Sequence, residues 1–504
     1  DLAAGSQTTA YGVHTTLAQF AYDTRHRPIL ITDAAGQTTR YTYNAAGQPI
    51  AVTNPLGQTT QLQYNATGDL VTIINANNAT QASLTYDGFD RVATVTDSEG
   101  RTVAYAYDAA DRLTQVTYPD GTRERYAYDR LDLASVTDRL GRTTRYAHDA
   151  LQRLTVVTDP LGRLTTVTYG PHNKPTSLTD PGGNVTTWAY DLQGRLTAKT
   201  YADGKGLTYT YEATTSRLKS LTDALGQTRQ VGYANDNRPT SVTYLNALTP
   251  TPAVTLADDH YFPRLTSMSD GSGTTQYAYG PVGSLGALQR QTETTPLATI
   301  TTTHDALGRL SSRTVSGAGA ESFAYDALGR LTGHASDLGA FTLAYLGQTG
   351  QITSRTLASS TLATTWSYLP NSDDRRLAGI TNTGLASSQI SAFSFTSRAD
   401  GLITGISETT DQTIPLPAAA QQTASYNALN QLTTLSGQAL TWDDNGNLLA
   451  DGTRAYTWDA ENRLVGISYP GQPGQHTTFA YDGLGRRTTI ASTPAGGGAT
   501  VTTS

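Results

Sequence analysis

Short runs in which apolar and polar residues alternate recur along the chain, and residues 102–107 show the pattern in its simplest form. Val103, Tyr105 and Tyr107 alternate there with threonine and alanine. Successive side chains of a β-strand point to opposite faces of a sheet, so the run predicts a strand with one aromatic face and one small-residue face. A turn follows, and residues 113–118 predict a second strand that runs back.

The returning strand alternates less cleanly than the outgoing one. Leu113 and Val116 are three residues apart, and so are Val92 and Val95. Strict alternation would place the two members of each pair on opposite faces of the sheet. Either both faces bury apolar groups or a β-bulge intervenes, and the sequence alone leaves both alternatives open.

Most outgoing strands end in a tyrosine, often followed by Asp or Asn, and this tyrosine recurs about every 21 residues, a period typical of repeat architectures. Its positions include Tyr22, Tyr43, Tyr64, Tyr86, Tyr107, Tyr128, Tyr169, Tyr190, Tyr211, Tyr233, Tyr325, Tyr345 and Tyr481. His148 and His304 occupy the same place in two further repeats, which indicates a structural role for both. Repeats build surfaces and enclosures, whereas a catalytic site is usually unique.

Two kinds of turn connect the predicted strands. The first reads Asp-Ala-Leu-Gly-Arg, identically at residues 305–309 and 326–330. The residue before its Arg is usually Gly, Asp or Asn, types that tolerate a positive φ, although Gln152 is an exception. The second reads Asp-Pro-Leu-Gly at residues 159–162, and its residues match the preferences of a type I turn position by position.

Composition supports a thin β architecture. The apolar share is only 37%, which is lean for a thick core, and Tyr 29 against Phe 8 suggests half-buried rings whose hydroxyls reach a partner or water. The net charge of −7 includes no basic block, so a nucleic-acid partner is not expected. Cys 0 excludes disulfides and thiolate metal sites, and no apolar run is long enough to span a bilayer. Because the chain opens at Asp1 without a signal-peptide pattern, we expect an internal fragment of a longer protein.

The repeats predict an all-β fold, a long spiralling antiparallel β-sheet that forms a hollow shell. About 48 strands in one ribbon would far exceed the roughly 10 that an open twisted sheet sustains, so the ribbon should wind and cover its own edges. The lean apolar content favours a hollow shell over a filled tube. We expect this shell over residues 1–490, with irregular hairpins or loops at 245–300 and 352–425. Residues 491–504 should be a flexible end before a core domain that the chain lacks.

The two faces of the outgoing strands differ, which bears on the shell's orientation. Tyrosines two residues apart share a face. We expect that face to be the inner one, with hydroxyls lining a wet lumen. The residues concerned are Tyr105, Tyr107, Tyr126, Tyr128, Tyr209 and Tyr211.

Candidate chemistry is sparse. Asp258, Asp259 and His260 form the one cluster with an acid pair beside an imidazole, and we interpret it as an ordinary polar loop. Residues 443–447 (Asp-Asp-Asn-Gly-Asn) lack the ligand spacing of a calcium loop, and a hairpin turn explains them better. The recurring aspartates could suggest a glycosidase, but turn capping explains them fully. We therefore predict no catalytic, cofactor-binding or metal site in the chain and expect no cofactor.

The repeat itself resembles a known family. Residues 325–331 (Tyr-Asp-Ala-Leu-Gly-Arg-Leu) resemble the Rhs/YD-repeat family, and residues 458–464 (Trp-Asp-Ala-Glu-Asn-Arg-Leu) resemble the stretch that bacterial members carry just before their terminal core domain. The resemblance covers about three quarters of the chain. It implies a coiled β-sheet cocoon that, in bacterial members and toxin complexes, encloses a toxic C-terminal domain. Teneurins use a similar shell for adhesion at cell surfaces.

Three classes of function remain open at this stage. The resemblance favours a non-enzymatic encapsulating scaffold, the repeat shell of an Rhs-type toxin in interbacterial competition, secreted or delivered by machinery such as type VI secretion. Its partners would be the C-terminal toxin cargo and core domain of the same polypeptide, together with the delivery machinery. The alternative is a cell-surface adhesion or carbohydrate-binding protein, and a polysaccharide-degrading enzyme is the third. The sequence names neither the cargo nor the target cell.

Overall fold

The computed structural model describes residues 4–10, 13–411 and 421–503. Those residues form 47 β-strands and two single-turn 3₁₀ helices, and they include no α-helix. The prediction of an all-β fold built on a long antiparallel sheet is therefore confirmed.

The first 37 strands belong to one sheet. They are β1 Ala4–Ala10, β2 Val13–Tyr22, β3 Pro28–Thr32, β4 Thr38–Tyr43, β5 Pro49–Thr53, β6 Thr59–Tyr64, β7 Leu70–Ile74, β8 Thr80–Tyr86, β9 Val92–Asp97, β10 Thr102–Tyr107, β11 Leu113–Thr117, β12 Arg123–Asp129, β13 Asp132–Thr137, β14 Thr143–His148, β15 Leu154–Thr158, β16 Leu164–Tyr169, β17 Pro175–Thr179, β18 Val185–Tyr190, β19 Leu196–Thr200, β20 Gly206–Tyr211, β21 Leu218–Thr222, β22 Thr228–Tyr233, β23 Pro239–Leu245, β24 Val254–Asp258, β25 Leu265–Asp270, β26 Gly273–Tyr279, β27 Arg290–Thr294, β28 Thr299–His304, β29 Leu310–Val315, β30 Ala320–Tyr325, β31 Leu331–Ser336, β32 Gly339–Tyr345, β33 Ile352–Leu357, β34 Ala363–Tyr368, β35 Leu377–Thr383, β36 Gln389–Ser397 and β37 Ile403–Thr410.

Two smaller sheets follow. The first contains β38 Ala424–Tyr426, β39 Leu432–Leu435 and β40 Gln438–Ala439. The second contains β41 Thr441–Trp442, β42 Leu448–Ala450, β43 Ala455–Trp458, β44 Leu464–Ser468, β45 His476–Tyr481, β46 Arg487–Thr493 and β47 Val501–Thr503. The 3₁₀ helices are Asn371–Asp373 and Leu385–Ser387.

A β-bulge at the start of each returning strand settles the question that the sequence left open. Tyr105 lies opposite Val116 and Tyr107 lies opposite Leu113, so Thr114 is the extra residue of the bulge. The bulge brings both apolar residues of β11 onto the tyrosine face. The same register shift occurs at Tyr22, Tyr43, Tyr64, Tyr86, Tyr128, Tyr169, Tyr190, Tyr211, Tyr233, Tyr325, Tyr345, Tyr368 and Tyr481.

Both predicted turn geometries are present. In the first class, Gly194 has φ 74° and donates its amide to the Asp191 carbonyl, as a type I turn closed by a left-handed residue requires. Gln152 takes the same conformation with φ 62°, although it is not a glycine. In the second class, Gly162 has φ 80° and closes the turn that begins at Asp159.

The two faces of the outgoing strands differ in exposure. The tyrosines named above for the inner face are half-buried, whereas Ala106, Ala127 and Thr210 between them are exposed. The tyrosine face is therefore the better packed one. Whether it faces inward in a closed shell stays a prediction.

The chain divides into two compact units. Unit 1 comprises Asp1–Arg145, Ala278–Glu293 and Ala298–Leu416, and unit 2 comprises Tyr146–Tyr277, Thr294–Leu297 and Pro417–Ser504. Buried apolar residues are few among the described residues of either unit. They are Val103 and Val116 in unit 1, and Val254, Met268 and Tyr277 in unit 2.

The described parts of the irregular segments contain β-strands joined by altered turns. Residues 245–300 still contain β24 to β27, and residues 352–425 contain both 3₁₀ helices and the long hairpin of β36 and β37. The residues Ile414, Pro415, Leu416 and Pro417, for which the sequence predicts a loop, fall outside the described residues. Within 491–504, β47 pairs with β46, so part of the predicted flexible end is a hairpin arm.

The left-handed conformation of Gln152 generates a first prediction. Its side chain is exposed, and a left-handed residue other than glycine costs about 1 to 2 kcal/mol. Gln152→Gly relieves this strain and should raise the urea midpoint, by an amount equivalent to about 0.5 kcal/mol after the entropic cost of glycine. The matched control, Gln115→Gly within β11, should lower the midpoint. A lower midpoint for Gln152→Gly would contradict the assigned turn geometry.

Candidate functional site

Many first-class turns are organised by the carboxylate of a leading aspartate. Asp108 Oδ1 accepts hydrogen bonds from the backbone amides of Ala110 and Arg112 at 2.9 and 3.1 Å, and Oδ2 accepts one from Arg112 Nε at 2.8 Å. One carboxylate thus closes the turn and orients an arginine. The same contacts occur at Asp23, Asp87, Asp149, Asp191, Asp305, Asp326, Asp459 and Asp482.

The oriented arginine reaches the tyrosine of the following repeat. The Arg112 guanidinium lies over the Tyr128 ring, 4.3 Å from its centroid, and the Tyr128 hydroxyl donates to the Leu113 carbonyl at 2.9 Å. We call this combination of turn aspartate, arginine and next tyrosine the repeat joint. A cation also covers the tyrosine in the pairs Arg27–Tyr43, Arg91–Tyr107, Arg153–Tyr169, Lys174–Tyr190, Arg195–Tyr211, Arg217–Tyr233, Arg309–Tyr325, Arg330–Tyr345 and Arg463–Tyr481.

Four of the six tyrosine hydroxyls that we expect to line a wet lumen make hydrogen bonds within the sheet, and whether they face a lumen stays a prediction. The hydroxyls of Tyr107, Tyr128 and Tyr211 donate to backbone carbonyls at the start of the preceding returning strand, at 2.8 to 3.0 Å. The Tyr126 hydroxyl donates to the Glu124 carboxylate at 3.0 Å. Each such hydroxyl thereby supplies a donor to a backbone carbonyl beside the bulge.

A second set of contacts joins turns that are far apart in sequence. In unit 1, second-class turns of early repeats meet first-class turns of late repeats. We call this the winding contact of unit 1. Its hydrogen bonds include Gly283 amide to Ala34 carbonyl at 2.8 Å, Asn77 Nδ2 to Gln348 Oε1 at 3.0 Å, Asn371 Nδ2 to the Glu99 carbonyl at 2.7 Å and Arg142 Nη2 to Asp400 Oδ2 at 3.0 Å.

Unit 2 has a winding contact of its own between the same two classes of turn. Most of its polar contacts pair an amide, a hydroxyl or a lysine with a carboxylate. They include Asn430 Nδ2 to Asp180 Oδ2 at 3.0 Å, Asn445 Nδ2 to Asp223 Oδ2 at 2.6 Å, Tyr244 Oη to Glu461 Oε1 at 2.6 Å and Lys205 Nζ to Asp444 Oδ2 at 2.9 Å. Within each unit the ribbon therefore returns to cover part of its own turn edge.

The contacts lower the pKa values of the aspartates that make them. A hydrogen bond from the Arg27 side chain is the largest cause that lowers the pKa of Asp23 to about 2. Hydrogen bonds from the Asn184 and Asn430 side-chain amides lower the pKa of Asp180 to about 2 in the same way. Both carboxylates are consequently ionised over the whole physiological range of pH.

The acid–imidazole cluster singled out in the sequence is part of a turn. Asp259 accepts the backbone amide of Tyr261 at 2.8 Å and pairs with Arg264 Nη2 at 2.9 Å, as turn aspartates do elsewhere. Asp258 lies 3.5 Å from Arg238 Nε, and the His260 ring packs edge-on against Tyr261. Both carboxylates are thus engaged by arginines. That the cluster has no catalytic role stays a prediction.

The calcium-like stretch is a hairpin turn, as expected. Asp443 Oδ1 accepts the amides of Asn445 and Asn447 at 2.9 and 2.8 Å, and Gly446 donates to the Asp443 carbonyl. No group of three or more potential metal ligands occurs among the described residues. Sequence reasoning missed the repeat joint and the winding contacts. The sequence does carry a signal for the repeat joint, because an Arg ends many first-class turns and a Tyr follows one repeat later.

The comparisons with known proteins agree with this geometry. The RHS Repeat model matches residues 22–55, 43–80, 86–123, 128–164 and 169–205. The matched segments of the chain are RHS repeats. The matched segments contain joints such as that of Arg91 and Tyr107, and further joints of the same form follow as far as Tyr481.

Curated relatives match over a short stretch. The tRNA nuclease WapA of Bacillus subtilis (strain 168) and the tRNA3(Ser)-specific nuclease WapA of Bacillus spizizenii are each 41% identical over 64 residues, which is 13% of this chain. The chain spans only about 3% of the length of those relatives. The likeness therefore concerns the repeats and carries no activity with it.

Solved structures match almost the whole chain at the level of the fold. The crystal structure of TcdB2-TccC3-TEV covers 95% of this chain at 13% identity with a TM-score of 0.61, and that of TcdB2-TccC3 covers 95% at 14% identity with a TM-score of 0.55. The chain spans 39% and 37% of those two chains. At this identity the match shows a shared β fold and nothing further. Among the described residues, no helix is long and apolar enough to cross a membrane.

The repeat joint predicts the effect of removing one hydroxyl. Tyr128→Phe leaves the Leu113 carbonyl without its donor, which should lower the free energy of unfolding by about 1 kcal/mol in urea or calorimetric measurements. Tyr105→Phe is the matched control, because Tyr105 lies on the same face and none of the described hydrogen bonds involves its hydroxyl. Equal changes in the free energy of unfolding for the two variants would show that the Tyr128 hydroxyl bond does not stabilise the fold.

The lowered pKa values predict the acid profile of the fold. Because the folded-state pKa values of Asp23 and Asp180 lie below the unfolded value of about 3.9, their contribution is present above that value and is lost as the pH falls through about 2. The melting temperature should therefore stay level between pH 7 and about pH 4.5 and fall below it. Asp23→Asn should flatten the acid limb. A steep fall of the melting temperature between pH 7 and pH 5 would show that groups other than these aspartates cause the acid sensitivity.

Proposed function

We propose that this chain is the encapsulating scaffold of an Rhs-type toxin, a repeat shell that encloses a C-terminal toxic cargo of the same polypeptide until delivery. The shell itself is structural and carries no catalytic activity. Its partners are the cargo and core domain of the longer polypeptide and a secretion or delivery machinery such as type VI secretion. The protein is secreted or delivered in interbacterial competition.

The observation that carries this proposal is the winding contact. A ribbon of short strands with few buried residues cannot hold a closed wall through core packing alone. Residues more than 200 positions apart nevertheless meet turn to turn in each unit, as Asn77 and Gln348 do in unit 1 and Asn445 and Asp223 do in unit 2. Edges that cover one another are what an enclosure requires, and an open adhesive ribbon has no need of them.

The chemistry of the chain supports a passive role. The recurring aspartates are engaged as turn caps and arginine partners, so they are unavailable as paired general acid and base. This weighs against the polysaccharide-degrading alternative. The adhesion or carbohydrate-binding alternative draws no support from the joints or the winding contacts, whose polar groups are directed at other residues of the chain.

Protease protection in the full-length gene product tests the proposal. The segment that follows residue 504 should resist proteinase K while it is attached to the shell and be digested rapidly when it is expressed alone. Expression of that segment alone should also inhibit growth of a bacterial host, because a released cargo is toxic. Protection is expected because protease molecules cannot pass a closed wall.

Two outcomes would contradict encapsulation. Digestion of the attached and the free segment at the same rate would show that nothing is enclosed. Binding of the intact shell to a glycan array or to whole cells, with no growth inhibition by the downstream segment, would support adhesion instead. Circular dichroism of the digested sample controls for loss of the shell fold.

A further inference from the structure

A first-class turn in the late half of unit 1 departs strongly from the repeat. After Tyr368, residues 369–376 replace the usual short turn with the 3₁₀ helix Asn371–Asp373, followed by two left-handed residues, Asp374 with φ 61° and Arg375 with φ 51°. Neither is a glycine, so this backbone is strained unless other contacts hold it. The loop lies within the irregular segment 352–425.

The strained residues present charged side chains to three early hairpins. The Asp374 carboxylate pairs with Arg101 Nη2 at 2.6 Å and with Arg139 Nη1 at 2.6 Å. Arg101 ends the turn that begins at Asp97, and Arg139 belongs to the turn that begins at Asp138. One carboxylate therefore ties two turns that are separated along the sheet by a third hairpin.

The middle hairpin is held by the same network. Asp120 pairs with Arg139 Nη2 at 2.9 Å and with Arg376 Nη1 at 2.7 Å, while Arg375 pairs with Asp97. The Arg139 guanidinium also lies over the Tyr118 ring, 3.8 Å from its centroid. Acidic and basic side chains of the early hairpins and the late loop thus form one network of ion pairs. Its seven members are Asp97, Arg101, Asp120, Arg139, Asp374, Arg375 and Arg376.

Because it is buried, this network should contribute more to stability than isolated surface ion pairs do. The side chains of Asp374, Asp120 and Arg375 are only 6%, 9% and 7% exposed. Exposed ion pairs contribute little, but removing one partner of a buried pair leaves the other charge uncompensated and is strongly destabilising. Unit 2 has no comparable network among its described ion pairs, where the winding contact holds Lys205–Asp444 and Arg229–Glu461 together with neutral donors.

We propose that the loop 369–376 is an electrostatic clasp, which fixes late repeats onto the hairpins that begin near Asp97, Tyr118 and Asp138, and that its release is the step by which the winding of unit 1 opens. The inference rests on the proposed function, because an enclosure must open to discharge its cargo. It assigns the irregular turn a conformational role. Opening here would free the early turn edge while the repeat joints on either side stay intact.

The clasp should survive mild acid. Burial, the largest single influence, would raise the pKa of Asp120, but hydrogen bonds from Thr122 and Arg376 and the charge of Arg139 outweigh it and lower the pKa to about 2. A carboxylate with a lowered pKa keeps its stabilising effect above its unfolded value and loses it only as the pH falls through about 2. Acidification to about pH 5 should therefore leave the clasp closed.

Hydrogen exchange of the shell chain tests the clasp without any cargo. Asp374→Asn removes the charge that Arg101 and Arg139 share. Amide exchange in residues 97–101, 118–122 and 138–142 should become about tenfold faster or more, while the joint at Asp191 and Arg195 in unit 2 keeps its wild-type rate. Asp373→Asn is the matched control, because Asp373 is the adjacent acidic residue and makes none of the described ion pairs. It should exchange like the wild type.

Each other result has a definite meaning. Wild-type exchange in all three hairpins of Asp374→Asn would overturn the clasp, and so would an equal acceleration in Asp373→Asn. If Asp374→Asn fails to fold, Asp374→Glu and Arg101→Gln provide weaker lesions, and the same three hairpins must respond first. Because the readout is local exchange in the shell, a failure here leaves the protease-protection result on encapsulation standing, and the reverse also holds.

Discussion

The fold depends on one carboxylate that acts in two directions. In the turn it accepts two backbone amides, and on its other oxygen it holds an arginine against the tyrosine of the next repeat, as Asp108, Arg112 and Tyr128 show. The tyrosine hydroxyl then donates to the Leu113 carbonyl at the start of the returning strand. Each contact is modest by itself. Repeated along much of the chain, they couple neighbouring repeats, which is how quasi-one-dimensional repeat proteins gain stability.

The contacts between neighbouring repeats explain why the fold needs so few buried apolar residues. Only five apolar residues among those described expose less than a tenth of their surface, in a chain of 504 residues. A globular protein of this length would need a far larger apolar interior. Here the half-buried tyrosine face and the arginine stems that lie on it supply contact area on one side of a single sheet. Polar residues can then occupy the other face without cost to the fold.

The sequence predicted the local features well, because the residues that decide them lie close together. Strand alternation, both turn types and the left-handed residue before Arg follow from a few adjacent side chains, and even Gln152 obeys the repeat against its own preference. For the returning strand, the sequence left open a β-bulge or burial on both faces. The pairing of Tyr107 with Leu113 shows that it is a bulge. The sequence did not reveal the partner of the tyrosine hydroxyl, a backbone carbonyl at the start of the preceding returning strand, as that of Val92 is for Tyr107.

What the sequence could not predict are the contacts between distant turns. Arg101 and Asp374 are 273 positions apart, and arginines and aspartates are so frequent at turns that no pairing stands out. Such separations cost little once the intervening repeats are formed, because closing the contact then joins two ordered edges instead of a flexible chain. The local joints must therefore build the ribbon before the winding contacts can select its partner edge. Departures from the repeat, such as residues 369–376, specify which distant turns pair with each other. Identical turns could not do so, because they would fit one another in any register.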